Sequence, residues 1–172
     1  MKRCLLFLCL CCFPSFGLCQ NTSSIDFVIK NLGINVDGYF NTFSIVTKFN
    51  ERTLELEQIS GSIDVSTIKT GIDSRDQHLL EEDYFNVATY KQITLTSTSV
   101  TKVSDTQYMV KAHLKIKGIT KQLNLKVDVV KTNGSYKIAS TFQIDRKDFK
   151  VGGSSFVMGK TVKINVIYYQ RV

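Results

Sequence analysis

The sequence predicts an all-β protein of about eight antiparallel strands, closed into a barrel or a sandwich, with one short helical excursion. Three observations predict it. Apolar and polar residues alternate with a period of two through most of the chain. Turn signals separate the alternating runs at strand length. Only one stretch, residues 74–82, breaks the period with helix-forming and polar residues. The 172 residues allow one domain, and an apolar fraction of 43% excludes a disordered chain.

The first element is of a different kind. Lys2 and Arg3 precede an unbroken apolar run from Cys4 to Phe13, Pro14 and Ser15 break it, and Gly17-Leu18-Cys19 follows. A basic start, a short apolar stretch and a small-x-small end are the parts of a secretory signal peptide. The run falls short of the ~20 residues a bilayer-spanning helix needs. Residues 1–19 are therefore expected to be an export signal removed after Cys19, placing the protein in a periplasm or outside the cell. Residues 20–172 are expected to form the single domain. The competing expectation, acylation and retention of Cys19 as a lipoprotein anchor, is weakened by Leu18, because such signals usually carry Gly, Ala or Ser before the cysteine.

All five cysteines (Cys4, Cys9, Cys11, Cys12 and Cys19) and the only proline lie in this leader. The remaining 153 residues carry 20 basic and 15 acidic side chains, a net charge of +5. Without cysteine, this domain uses no disulfide and no thiolate chemistry, and its stability must come from a core, for which 153 residues suffice.

The alternation then runs in order. Ile25, Phe27 and Ile29 alternate with Asp26, Val28 and Lys30, and Asn31-Leu32-Gly33 turns the chain. Ser74 to Glu82 reads as one or two helical turns with Ser74 as a capping residue, and residues 83–87 lead back to a strand. Tyr108, Val110, Ala112, Leu114 and Ile116 form one face of a long strand, and Gly118-Ile119-Thr120 ends it. Leu123, Leu125, Val127 and Val129 form the next face. Asn133-Gly134 signals a hairpin, since both residues tolerate positive φ. Val162, Ile164, Val166 and Tyr168 give the last run.

Several motifs fall in a fixed order along this frame: Phe27-Val28-Ile29-Lys30-Asn31-Leu32-Gly33; Val36-Asp37-Gly38-Tyr39-Phe40; Ser66-Thr67-Ile68-Lys69-Thr70-Gly71 with Arg75-Asp76-Gln77-His78-Leu79 and Asp83-Tyr84-Phe85-Asn86-Val87; Leu114-Lys115-Ile116-Lys117-Gly118-Ile119-Thr120-Lys121; and Ile144-Asp145-Arg146-Lys147-Asp148-Phe149 with Val151-Gly152-Gly153. In this order and spacing, from about Ser24 to Tyr169, the chain resembles the YceI-like family of polyisoprenoid-binding or lipid-binding envelope proteins. It departs from that family's pattern in having Ile45 where a glycine is usual, Lys91 for a proline, Asp145 for an asparagine, and no W-x-I-D opening. The Ile45 change is expected to narrow or reshape the interior.

The resemblance implies an extended eight-stranded lipocalin-like barrel that holds a long isoprenoid, isoprenoid quinone or other amphiphilic lipid in an apolar tunnel. Burial alone would hold such a chain, at about 25 cal/mol per Å² removed from water. No catalytic residue, cofactor or metal is expected; a bound polyisoprenoid-type lipid is the implied ligand. Strand parity assigns its wall. Phe27, Ile29, Phe40 and Phe43 come from the first strands, and Phe85, Ile93 and Leu95 from the segment after the helix. Leu114, Ile116, Leu123 and Leu125 come from the central hairpin, and Phe142, Ile144, Phe149 and Ile164 from the last third. Each has a plainer reading as core filling, which leaves a second expectation open: an envelope stress-protective or interaction protein with a packed barrel and no lipid.

Arg75, Asp76, His78 and Asp83 suggest acid–base chemistry, but nothing in the sequence supplies a nucleophile–base pair or a phosphate loop, which leaves two other readings. They brace the short helix, or Arg75 and His78 meet a ligand head group at the barrel mouth. With His78 and His113 the only histidines, several metal ligands at metal spacing are absent. The lysines Lys111, Lys115, Lys117, Lys121 and Lys126 lie on the polar strand faces, where they are either solvated or drawn to anionic lipid head groups. Nucleic acid is not expected as a partner of an exported protein. An edge strand leaves pairing into a homodimer open.

Overall fold

The structure, a computed structural model, describes residues 22–132, 134–153 and 155–171. The expected leader over 1–19, Cys19 included, and Asn133 of the Asn-Gly turn lie outside the described residues.

The described residues form ten strands rather than eight. They are β1 (Ser24–Asn31), β2 (Ile34–Phe40), β3 (Phe43–Phe49), β4 (Leu56–Asp64), β5 (Ile68–Lys69), β6 (Gln92–Lys102), β7 (Gln107–Ile116), β8 (Ile119–Thr132), β9 (Ser135–Asp145) and β10 (Met158–Arg171). One short helix, α1 (Asp73–Leu79), follows β5, and 3₁₀ turns occupy Val65–Thr67 and Arg146–Phe149. All ten strands belong to one antiparallel sheet, in the order β3-β4-β6-β7-β8-β9-β10-β1-β2-β5.

The pairings rest on residue chemistry. Asn31 pairs with Ile34, so Leu32-Gly33 is a two-residue turn, and both residues have positive φ (50° and 79°). That geometry matches the right-handed twist of the flanking strands. Lys117-Gly118 makes the same kind of turn between Ile116 and Ile119. Thr132 pairs with Ser135 where β8 meets β9. The β7 burial pattern alternates strictly, with Tyr108, Val110, Ala112, Leu114 and Ile116 all buried.

The sheet curls into a half-barrel. Its β3 edge leans across onto the far strands: Phe49 stacks on Tyr136 of β9 with centroids 4.6 Å apart, and Thr47 Oγ1 donates to Gln170 Oε1 of β10. Two buried clusters divide the interior. One gathers Ile25, Phe40, Val65, Ile68, Ile93, Leu114, Ile116, Phe149 and Val151. The other gathers Leu56, Tyr108, Val110, Ala112, Leu125, Val127, Val129, Tyr136 and Ile138. The first lies toward the end with the β1–β2 and β7–β8 turns and α1. The second lies toward the end with the β6–β7 and β8–β9 turns.

α1 begins at Asp73, one residue before the expected cap. Its N-cap is Ile72, which makes no side-chain capping bond, so Ser74 is inside the helix. The missing cap is offset by tertiary bonds described below.

Candidate functional site

An apolar cavity of about 230 Å³ occupies the half-barrel, walled by residues of all ten strands, α1 and the connections around it. The largest share of its wall belongs to, or packs against, the first cluster, while Leu125, Val127 and Ile138 of the second reach it together with Ile59 and Phe142, which pack against that second cluster. The cavity therefore opens beneath α1 and ends against the packed second cluster.

Thirteen of the fifteen wall residues assigned by strand parity line it. Phe27 and Ile29 face it from β1, Phe40 from β2, and Ile93 and Leu95 from β6. Leu114 and Ile116 face it from β7, Leu125 from β8, Phe142 and Ile144 from β9, and Ile164 from β10. Phe85 and Phe149 close it from the connections. Phe43 and Leu123 do not line the cavity. Phe43 starts the edge strand and packs on the first cluster, and Leu123 packs between the two clusters. Ile45, at the position where the resembled family has glycine, places its side chain on the wall, so it occupies interior space a glycine would leave free.

Gly38 shows why the motif around it needs a glycine. The Phe27 ring lies over it, tilted 46° to Phe40 at 5.6 Å. A Cβ on Gly38 would stand 2.3 Å from Phe27 Cζ and 2.8 Å from the Lys69 carbonyl. The missing side chain leaves room for the Phe27 ring over β2.

The polar residues separate into two roles. Asp76 is buried and does not line the cavity. Its Oδ1 accepts from Thr70 N at 2.8 Å and from Thr70 Oγ1 at 2.5 Å, and Lys69 Nζ lies 3.6 Å from Oδ2. Arg75 donates from Nε to Thr70 Oγ1 (2.8 Å) and from Nη2 to Thr70 O (2.7 Å), and it lines the cavity. The Arg75–Thr70–Asp76 network ties α1 to the end of β5, which is the bracing reading. His78 is not at the cavity: its Nδ1 lies 2.7 Å from Glu81 Oε2 and its ring sits edge-on to Tyr84 at 4.8 Å. Asp83 contributes its carbonyl, which accepts from Gly152 N at 2.8 Å. Among the described residues, no three acidic or histidine side chains converge as a metal site.

Strand parity misses several wall residues. Ile25, Val36, Ile138, Val162 and Val166 sit at inward positions of their strands. Tyr84 and Met158 come from connections and a strand end, where the period gives no guidance. Arg146 is the least expected: it is buried, lines the cavity, and donates to the carbonyls of Val151 (2.7 Å), Gly159 (2.9 Å), Gly153 (3.0 Å) and Met158 (3.1 Å). A buried guanidinium is tolerable only when its donors are satisfied. No signal in the sequence distinguishes it, because all four residues between Ile144 and Phe149 (Asp145, Arg146, Lys147 and Asp148) are charged.

Comparison with known proteins agrees with this architecture. The family profile for the YceI-like domain matches residues 16–168. A UPF0312 protein of Pectobacterium atrosepticum is 30% identical over 134 residues, which cover 74% of this chain and 69% of that protein. Among solved structures, Burkholderia cenocepacia BcnA superposes with a TM-score of 0.80 at 23% identity, covering 86% of this chain and 96% of that one. A polyisoprenoid binding domain from Saccharophagus degradans superposes with a TM-score of 0.70 at 19% identity, covering 87% and 94%.

Proposed function

This chain belongs to the YceI-like domain family, and from that premise we propose that it binds a long apolar lipid, of polyisoprenoid or isoprenoid-quinone type, inside its half-barrel. The observation that carries this reading is the continuous apolar cavity beneath α1. Its volume of about 230 Å³ lies below the usual 300–1,000 Å³ of small-molecule sites, so the cavity as it stands takes only part of such a lipid chain. The polyisoprenoid binding domain of Saccharophagus degradans, which shares this fold, supports the choice of ligand class.

The binding needs no chemistry. Apolar burial supplies the affinity, and the wall length selects the chain. Arg75, on the wall with Nε and Nη2 engaged by Thr70, is the residue we assign to a polar head group. We infer that residues 1–19 are an export signal and that the protein acts as a carrier or binder outside the cytoplasm.

The test has two parts. Protein purified from its own envelope and extracted with organic solvent is expected to yield an isoprenoid lipid by mass spectrometry. Ile164→Trp, which fills the cavity from β10, is expected to abolish binding of a fluorescent isoprenoid-quinone analogue while the strand signal in circular dichroism persists. Wild-type protein that yields no lipid and takes up no analogue would overturn the reading.

A further inference from the structure

The β1–β2 turn and the connection leading into β10 lie side by side at the cavity end. Leu32 N donates to Val157 O at 2.8 Å, and Asn31 pairs with both Ile34 and Met158. On this platform four large apolar side chains face solvent: Leu32 is 72% exposed, Ile34 71%, Val157 52% and Phe156 fully. The other exposed large apolar residues among the described ones are Tyr39, at the far end of β2 from Ile34, and Val46, Leu54, Ile72, Val103, Met109 and Val130, each on a different strand or connection. The grouping is therefore local to this tip. A cluster of this kind on a soluble face marks a contact surface.

Two further observations say what covers it. Asn31 and Met158, the inner neighbours of Leu32 and Val157, both line the cavity, so the tip is the outer lip of that cavity. Leu32 also has a φ of 50°, a conformation that asparagine or glycine adopts more easily, so the turn keeps an exposed leucine against its own backbone preference. Behind the tip, Lys30, Lys160 and Lys163 are exposed on adjacent strands. Lys160 reaches Asp145 only at 4.0 Å, and no ion pair engages Lys30 or Lys163 among the described residues. The acids nearest in register are Asp26, Asp37 and Asp145, and of these only Asp145 comes within 4.0 Å of a lysine, so Lys30 and Lys163 stay available to an external anion.

We propose that this lip docks on an anionic bilayer. Leu32, Ile34, Phe156 and Val157 enter the boundary between head groups and acyl chains, and Lys30, Lys160 and Lys163 rest on the anionic head groups. This inference rests on the lipid-binding reading and names its partner: the membrane surface with which the cavity exchanges its chain. Apolar burial and charge attraction act together at the rim through which the ligand passes, so docking aligns the cavity with the lipid phase. The lysines make the contact salt-dependent.

The experiment is cosedimentation of the purified chain with vesicles of phosphatidylethanolamine and phosphatidylglycerol, and with vesicles of phosphatidylcholine alone. Wild type is expected to bind the anionic vesicles at least ten-fold more tightly, with the difference shrinking at high salt. Leu32→Asn with Phe156→Ser is expected to lose at least ten-fold in that binding. Because both sites are exposed and Asn suits the turn, thermal stability should not fall. The same variant should still take up a soluble isoprenoid-quinone analogue. Wild type that ignores anionic vesicles, or a double variant that binds them as wild type does, overturns the docking. A dimer in sedimentation velocity that the double variant dissociates also overturns it, by assigning the tip to a second copy. Vesicle binding through the tip by a chain that takes up no analogue leaves the docking in place and refutes the carrier reading instead.

Discussion

The two ends of the half-barrel are built from the same alternating strands and come out differently. At the β6–β7 and β8–β9 end, Tyr108, Val110, Ala112, Val127, Val129 and Tyr136 fill the space, and the Phe49–Tyr136 stack draws the β3 edge over it. At the α1 end, Phe27, Leu114, Ile116, Phe149 and Ile164 stand around a void. The difference lies in what covers the strands. The packed end is closed by other strands, whose side chains interdigitate. The open end is covered by α1 and two irregular connections, held by polar anchors at their bases: Asp76 with Thr70, and Arg146 with four carbonyls. Anchoring a lid by hydrogen bonds leaves the apolar space beneath it free.

The comparison breaks most severely at Arg146. Arg146→Met keeps the apolar stem but leaves the carbonyls of Val151, Gly153, Met158 and Gly159 without their donors. An unsatisfied buried group costs about 1–3 kcal/mol; the Val151 bond is buried and the other three are part-buried, so a total loss of about 3 kcal/mol is expected in urea denaturation. A loss under about 1 kcal/mol would mean that the open end is held by something other than this anchor.

Two truncations sharpen the contrast. Leu56→Ala removes a buried side chain from the packed end, and about 3 kcal/mol of stability should go with it. Uptake of an isoprenoid analogue should be unchanged. Ile45→Ala trims a half-buried wall residue that already borders a void, and about 1 kcal/mol is expected. Here the binding profile should move, toward longer or bulkier chains. Equal stability losses with equal effects on uptake would erase the distinction between the ends.

How far the sequence reveals this division depends on period. The β7 and β8 faces are legible residue by residue, because one side of each strand is buried and a shift of one residue would invert it. The two extra strands are not legible. β5 is two residues long and carries no period, and β2 and β3 are separated only by Asn41-Thr42, with no glycine or proline to mark the break. Parity also names the inward residues without saying whether they meet. Tight packing at one end and a void at the other both read as alternation, so Val110 and Leu114, on the same face of β7, look alike in the sequence. Arg146 and Tyr84 lie in connections, where a residue's role is set by which backbone groups the tertiary fold brings to it.

The smallest expected effect tests the packed end from its surface. Glu57 on β4 is held below its ordinary value of 4.5, first because Asn50 Nδ2 donates to Oε1 at 2.8 Å and further because Lys48 lies 3.5 Å from Oε2. Desolvation opposes this and loses. The unfolded chain then binds more protons near pH 4.5 than the folded one, so this pair adds stability above pH 4.5 and loses it as pH falls through the lower folded value. Lys102, across the same end, is raised above 10.5, chiefly by its hydrogen bond to Glu55 at 3.0 Å. Its contribution is complete below that value and is lost as pH rises through the folded one. Glu57→Gln should therefore flatten only the acid limb of thermal stability against pH, and Lys102→Gln only the alkaline limb. Both pairs are exposed, so added salt should shrink both effects. A carboxyl resonance of Glu57 that titrates at or above 4.5 would show that the β3–β4 hairpin does not hold Asn50 against it, and that the packed end stops at the Phe49–Tyr136 stack.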